Sequence, residues 1–285
     1  MEARRLLILL AASIAFLAFS TYTVPALTVL FVTLGCGAIG FLDDFIKLTH
    51  RRSLGLNGRW KLLLLGLITV GVGIAARHQH LPTSVYVPGI GDIELSYAWY
   101  GLLFLVIAGA ANGVNLADGV DGLAAGTGVI ALFTFAAMIV ISWIRSGSPG
   151  HRFDTKLDLA IIAAALIGGG IGFLWYNAFP AEVFMGDTGS MAIGGALATF
   201  AIFTKTIFLL LLIGGIFALE ALTVIIQVFT FKYLNRRVFL MAPIHHHFEM
   251  KASSETKIMV RFWIVTGILC AIGFALYYRY FTGFR

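Results

Sequence analysis

Long apolar runs separated by short polar segments make up most of this 285-residue chain. Runs of about 18 residues or more can cross a hydrocarbon core of roughly 30 Å as α-helices. They lack the alternation of polar and apolar positions that membrane β-strands carry. Helices satisfy their backbone hydrogen bonds internally, as a lipid-facing segment must. The pattern therefore predicts an all-α polytopic membrane protein.

The polar interruptions divide the chain into nine predicted spans. They cover residues 6–23, 25–42, 60–77, 97–112, 122–145, 157–177, 189–205, 206–230 and 258–281. Residues 78–96 place Pro82, Pro88 and Gly91 among Val and Ile, which predicts a small external β-hairpin. We expect one membrane domain over residues 1–285, with its chemistry on four cytoplasmic loops at about 43–61, 112–122, 177–190 and 231–257.

Composition supports the membrane assignment, since only 12% of the residues are charged and 59% are hydrophobic, with a mean hydropathy of +0.93. A soluble domain carries roughly 25% charged residues. The net charge of +6 reflects orientation and indicates no nucleic-acid partner. With a cytoplasmic N-terminus, most Lys and Arg face the cytoplasm, as the positive-inside rule requires. These are Arg4, Arg5, Lys47, Arg51, Arg52, Arg59, Lys61, Lys232, Arg236, Arg237, Lys251, Lys257 and Arg261.

Five aspartates fall at the predicted cytoplasmic ends of spans: Asp43, Asp44, Asp118, Asp121 and Asp187. Carboxylates converging on one face suit a hard cation such as Mg²⁺, which takes one or two carboxylates together with substrate phosphates. The pattern predicts a metal-dependent site at the cytoplasmic surface. Cys36 and Cys270 lie inside apolar runs, so neither a disulfide framework nor a zinc site is indicated.

Each motif also has a plainer interpretation. Asp43 and Asp44 would repel one another unless compensated, and Lys47 lies one turn further on; the pair could instead be a solvated helix end. The Asn112–Gly122 segment could be an Asx-rich turn. Asp187, ahead of a helix expected to start near Gly189, could be only an N-cap.

Histidines and one intramembrane acid complete the candidates. His245, His246 and His247 are too close in sequence to bind one metal together, but imidazoles can donate to a diphosphate or carry protons near neutral pH. Glu220 lies within a predicted span, where a carboxylate is a functional candidate. A hydrogen-bonded structural role inside the bundle is the favoured interpretation for Glu220.

Four segments resemble, in order, the motifs of the polyprenyl-phosphate N-acetylhexosamine-1-phosphate transferases. They are DDFIK (43–47), NGVNLADGVDGLA (112–124), NAFPAEVFMGDTGS (177–190) and MAPIHHHFEMK (241–251). The last, with SETKIMVRFWIV (254–265), is similar to the branch that transfers phospho-N-acetylmuramoyl-pentapeptide. That branch converts UDP-N-acetylmuramoyl-pentapeptide and undecaprenyl phosphate into lipid I and UMP with Mg²⁺. The resemblance thus implies peptidoglycan synthesis at the bacterial cytoplasmic membrane. It also implies contact with membrane lipids and association of two copies as a homodimer.

The resemblance also implies residue roles. Asp187 would hold Mg²⁺ on the diphosphate, and Asp43 or Asp44 would deprotonate or position the lipid phosphate. The catalytic group is then Asp43, Asp44, Asp187 and His245. The uridine half would contact Asn115, Asp118, Asp121, Phe184 and Gly186, with Phe184 stacking on uracil. The remaining predicted substrate-binding residues are Lys47, Lys61, Asn112, Asn177, His246 and His247.

One departure from the family pattern affects the expected activity. Family members begin with a further span and a cytoplasmic loop, whereas Met1 here leads almost directly into the span that follows that loop. Three alternatives stay open: a sister transferase of UDP-N-acetylglucosamine, an inactive truncated paralogue, and a secondary transporter. A transporter would place its polar groups near the membrane midplane, whereas these cluster at one face.

Overall fold

The protein is described by a computed structural model covering residues 2–49, 55–147 and 154–281, with side chains for residues 8–280 of these ranges. The helices are α1 (Glu2–Phe19), α2 (Val24–Thr49), α3 (Gly58–His78), α4 (Ala98–Ala117), α5 (Leu123–Ile144), α6 (Asp154–Asn177), α7 (Gly186–Phe203), α8 (Ile207–Ile213), α9 (Gly215–Leu234), α10 (Ile244–Glu249) and α11 (Glu255–Phe281). The strands are β1 (Ser84–Val87) and β2 (Gly91–Glu94). Arg51 and Arg52 lie outside the described residues, as do the side chains of Arg4 and Arg5.

The predicted all-α polytopic architecture is confirmed. Among the described residues, seven helices are long and apolar enough to cross a membrane, namely α2, α3, α4, α5, α6, α9 and α11. Two predicted spans do not meet this measure. The described apolar part of α1, Ile8–Phe19, is shorter, and the first turn of α7 carries polar side chains such as Asp187 and Thr188.

The predicted span 206–230 is divided into two helices. The short helix α8 ends at Ile213, and α9 begins at Gly215. Gly214 closes the first helix and caps the second. Two adjacent glycines weaken a continuous helix at this point, because glycine has the lowest helix propensity after proline. The polar loop predicted at 231–257 also contains a short helix, α10.

The predicted hairpin is confirmed. Strands β1 and β2 pair antiparallel, with Ser84 opposite Glu94. The turn carries Gly89 and Gly91 at φ values of +85° and +106°, where a side chain would be strained. The first strand packs against α8, which follows the C-terminal end of α7. The hairpin therefore lies at the end of the bundle opposite the first turn of α7.

Helix α7 forms the centre of the bundle. Every residue from Thr188 to Ile202 is buried, and the helix packs most extensively against α2 and α4. At Gly40 of α2 the backbones meet, because a Cβ there would lie 2.1 Å from the carbonyl oxygen of Asp187. This contact brings the C-terminal part of α2 beside the first turn of α7.

Candidate active site

Three aspartates converge where α2 meets α7. Asp43 is 2% exposed and Asp44 7% exposed, so the solvated helix end considered for this pair is wrong. One ligand oxygen from each of Asp43, Asp44 and Asp187 lies within 4.8 Å of the other two. Buried carboxylates this close require compensating positive charge.

Asp187 lies in the first turn of α7 and does not cap it. The helix begins at Gly186, three positions before the predicted start, and Met185 is its N-cap. Gly186 has a φ of +64°, which suits a glycine at the turn into the helix. Asp44 accepts a hydrogen bond from Thr188 Oγ1 at 3.2 Å and thereby ties α2 to the same turn.

Two lysines supply the compensating charge. Lys47 Nζ lies 2.5 Å from Asp43 Oδ2 and 3.1 Å from Asp187 Oδ2. Lys61 Nζ, from α3, lies 3.3 Å from Asp43 Oδ1 and 3.1 Å from Asp187 Oδ2. The predicted offset of Asp43 by Lys47 is thus present, and the second lysine joins a third helix to the cluster.

Asp187 also accepts a hydrogen bond from Asn115 Nδ2 of α4 at 2.8 Å. Burial by itself raises the pKa of a carboxyl group. The neighbouring side chains of Asp43 and Asn115, with the ammonium groups of Lys61 and Lys47, nevertheless lower the pKa of Asp187 below its ordinary value. Asp187 is therefore a carboxylate at neutral pH, as a metal ligand must be.

The donor set fits a divalent cation. Carboxylate oxygens are the ligands that hard cations prefer, and three of them share this cluster. Asp43 Oδ2 is buried and accepts no hydrogen bond from the part of the chain that the structure describes, although it is ion-paired with Lys47. This cluster could hold a metal ion.

A second buried group lies between α9, α10 and the loop after α4. His245 and Glu220 are both 0% exposed, and His245 Nδ1 lies 3.1 Å from Glu220 Oε1. A Cβ at Gly119 would lie 2.4 Å from His245 Nε2, so a side chain there would require the imidazole to move. The hydrogen-bonded interpretation of Glu220 agrees with this geometry.

Two predicted substrate ligands connect loops to each other. Asn177 Oδ1 accepts from the Gly122 N–H at 3.1 Å, and its Nδ2 donates to the Val183 carbonyl at 2.9 Å. Asp121 Oδ2 accepts from the Ala181 N–H at 3.0 Å. These bonds fix the 118–122 loop against the 177–183 loop, so the Asx-rich segment is more than a turn between spans.

The remaining predicted residues are more dispersed. Asn112 Nδ2 donates to the Ala108 carbonyl one turn back in α4, and Asp118 is the residue that closes that helix. Phe184 is 53% exposed, which leaves its ring available for stacking. On α10, His246 Nδ1 lies 2.6 Å from Glu249 Oε2, and His247 Nδ1 accepts from the Leu240 N–H at 3.1 Å.

Two polar residues of this site were not among the predicted ones. Thr188 bonds Asp44, and Ser190 Oγ accepts from Asn115 Nδ2 at 3.0 Å. Both lie inside the predicted 177–190 motif, where the run of polar residues Asp-Thr-Gly-Ser could have indicated them as site residues. Their partners lie on α2 and α4, which the motif alone does not reveal.

Comparison with known proteins identifies the family of this chain. The model of glycosyl transferase family 4 matches residues 26–205. A phospho-N-acetylmuramoyl-pentapeptide-transferase of Rubrobacter xylanophilus is 47% identical over 88% of this chain and 75% of its own length. Its counterpart in Frankia alni is 44% identical over 91% of this chain and 77% of its own. The Bacillus subtilis protein of the same name is 41% identical over 90% of this chain and 75% of its own length. The chain therefore belongs to glycosyl transferase family 4, among the phospho-N-acetylmuramoyl-pentapeptide-transferases.

Proposed function

We propose that this protein transfers phospho-N-acetylmuramoyl-pentapeptide from its UDP conjugate to undecaprenyl phosphate, giving lipid I and UMP for peptidoglycan biosynthesis. The observation that carries the proposal is the cluster of Asp43, Asp44 and Asp187 with Lys47 and Lys61. Phosphoryl transfer depends mainly on positioning and charge stabilisation. A compact set of carboxylates and ammonium groups on three packed helices supplies both.

Asp43, Asp44 and Asp187 are the residues that would hold Mg²⁺ at this site. When bound, the ion neutralises charge that develops on the phosphoryl oxygens. The ammonium groups of Lys47 and Lys61 each lie 3.1 Å from Asp187 Oδ2, so a diphosphate held at Asp187 would lie beside both. Both lysines therefore serve to orient the diphosphate and offset its charge.

Asp43 is the stronger candidate of the adjacent pair for contact with the lipid phosphate. Asp44 accepts a hydrogen bond from Thr188 on α7, whereas Asp43 is ion-paired through its two oxygens with Lys47 and Lys61, the groups proposed to orient the phosphates. An ionised carboxylate at that position can accept the proton of the attacking phosphate. Phe184 and the 118–122 loop, with Asp118 and Asp121, would bind the uridine half.

The proposed location is the bacterial cytoplasmic membrane, with the aspartates at the cytoplasmic face. Two observations support it. The hairpin and the aspartate cluster lie at opposite ends of α7, as alternating spans require. The loops beside the aspartates carry most of the basic residues, and such loops stay on the cytoplasmic side.

UMP release by the purified chain tests the function. We expect UMP from UDP-N-acetylmuramoyl-pentapeptide with undecaprenyl phosphate and Mg²⁺, and none from UDP-N-acetylglucosamine supplied in parallel. EDTA should stop the release and excess Mg²⁺ should restore it. UMP from the glucosamine substrate alone would assign the chain to a sister activity, and none from either would overturn the proposal.

A further inference from the structure

A buried histidine–carboxylate pair lies outside the aspartate cluster. Glu220 comes from the interior of α9 and His245 from the first turn of α10, and neither is exposed. Their contact, 3.1 Å between Nδ1 and Oε1, joins two elements separated by 25 positions in the chain. Burying an acid beside a histidine is costly unless the two share a proton or a charge.

Each side chain of this pair has one polar atom without a partner. His245 Nε2 and Glu220 Oε2 are buried and make no hydrogen bond to the described residues. An unpaired buried polar group costs about 1–3 kcal/mol, so each needs an explanation. A ligand atom that pairs with Nε2 in the working enzyme would supply one.

The direction of Nε2 indicates what that ligand is. The atom faces Gly119, where a Cβ would approach it to 2.4 Å. Gly119 lies between Asp118 and Asp121 in the loop proposed to bind the uridine half of the substrate. With no side chain at position 119, Nε2 lies directly against this loop, beside the part of the substrate that the loop would bind.

We infer that Glu220 is a positioning residue for the transfer reaction and acts through His245. This inference rests on the proposed function. An ionised Glu220 can only accept, which fixes a proton on Nδ1 and turns Nε2 toward the substrate. When Nε2 is also protonated, Glu220 balances the imidazolium while Nε2–H donates to the phosphoryl oxygen. A fixed donor aimed at developing charge is worth about 10²–10³-fold in rate.

A double-mutant cycle tests whether Glu220 acts through His245. Glu220→Gln keeps the size and an acceptor but removes the charge, and we expect kcat for UMP release to fall at least about tenfold with KM nearly unchanged. The kcat of the His245→Ala variant should fall by about 10²-fold or more. If one residue acts through the other, the double variant is no slower than His245→Ala. If Glu220→Gln lowers kcat by the same factor in the wild-type protein and in His245→Ala, the inference is wrong. An unchanged kcat in Glu220→Gln would also overturn it.

A matched control separates positioning from stability. Thr223 is 3% exposed and donates from Oγ1 to the Glu220 carbonyl oxygen at 2.8 Å. Thr223→Val removes this buried hydrogen bond one turn along α9 without changing the carboxylate. It should lower the unfolding temperature yet leave kcat intact. A kcat loss in Thr223→Val equal to that in Glu220→Gln would reduce Glu220 to a structural residue.

A spectroscopic measurement distinguishes failure of this inference from failure of the proposed function. Wild-type UMP release decides the function itself. Independently, ¹⁵N spectra of histidine-labelled protein should show His245 carrying a proton on Nδ1, assigned by its absence in His245→Ala. The signal should change in Glu220→Gln. If Glu220→Gln fails to fold, Glu220→Asp replaces it, because the shorter side chain withdraws the carboxylate from Nδ1 and should lower kcat through the same contact. A resting His245 without a proton on Nδ1 would overturn the inference whatever the activity.

Discussion

At the scale of single residues, Asp187 makes the most consequential contacts of the site. Two ammonium groups lie 3.1 Å from its Oδ2, and Asn115 donates to its Oδ1. Each contact comes from a different helix. One carboxylate therefore contacts side chains from three other helices at the site.

Replacing Asp187 with Asn should abolish turnover while the protein still inserts and folds. The amide retains the size but loses the charge that binds a cation and pairs with Lys47 and Lys61. We expect kcat for UMP release to fall by at least about 10²-fold, measured at saturating substrate and Mg²⁺. Asp92→Asn, in the hairpin at the other end of the bundle, is the control. Near-normal turnover in Asp187→Asn would contradict the metal assignment.

Residue types at this site could be predicted from the sequence, but their partners could not. The Asp-Asp pair, the Asp-rich loop and the Gly-Asp-Thr-Gly run each mark polar groups at the ends of apolar runs. Burial of Asp43 and Asp44 depends on α7 covering them, and the role of Lys61 depends on α3 packing beside α2. Such contacts between distant segments leave no local pattern in the chain.

At the scale of elements, the contact between α2 and α7 sets the geometry of the aspartate cluster. Gly40→Ala would place a Cβ 2.1 Å from the Asp187 carbonyl oxygen, and backbone cannot move aside. We expect this variant to lose most UMP release and to unfold at a lower temperature. Gly35→Ala on the same helix is the matched control, since its Cβ would meet only the flexible tip of Ile68, at 2.9 Å. Equal behaviour of the two variants would disprove the steric argument.

Asp158 joins α6 to the turn between α1 and α2 by hydrogen bonds. It is fully buried and accepts from the N–H of Thr21 at 3.0 Å, and from the N–H and Oγ1 of Thr23 at 2.8 Å each. Asp158→Ala leaves these donors unpaired, which should cost about 3 kcal/mol. We expect the unfolding temperature in detergent to fall by on the order of 5–10 °C. Asp154→Ala, exposed on the same helix, should change it little; a similar fall in both would contradict this role.

The sequence predicts a helix or strand correctly where polar residues bound the apolar run. It does not predict a helix boundary that lies inside an apolar run. The hairpin was identified from its prolines and glycines, and α2 to α6 from their flanking loops. Residues 207–219 contain no polar side chain, so the break between α8 and α9 had only Gly214 and Gly215 as a signal. Those glycines did not stand out among the 32 in the chain.

At the scale of the whole molecule, the hairpin and the aspartate cluster should face opposite sides of the membrane. Cys36 and Cys270 are both buried, so an introduced cysteine would be the reactive one among the described residues. Ile90, 76% exposed in the hairpin, and Met250, 64% exposed beside α10, are suitable positions.

An impermeant maleimide should label Ile90→Cys in intact spheroplasts and Met250→Cys only after the membrane is opened. This result follows if the basic loops face the cytoplasm. The unaltered chain serves as the control for background labelling. Labelling of Met250→Cys in intact spheroplasts would reverse the proposed orientation.

The central position of α7 has a consequence for how the enzyme responds to its surroundings. Leu219, Leu222 and Ile225 of α9 are exposed, as lipid-facing positions would be, whereas Thr188–Ile202 are covered by protein. A change in bilayer thickness is accommodated by tilting or bending of lipid-facing helices. Only Asp187 of the cluster is attached to this covered helix, because Asp43 and Asp44 lie on α2, where Phe31 and Leu34 are exposed. A change in thickness would therefore reach the cluster through α2, and turnover should vary between thin and thick membranes.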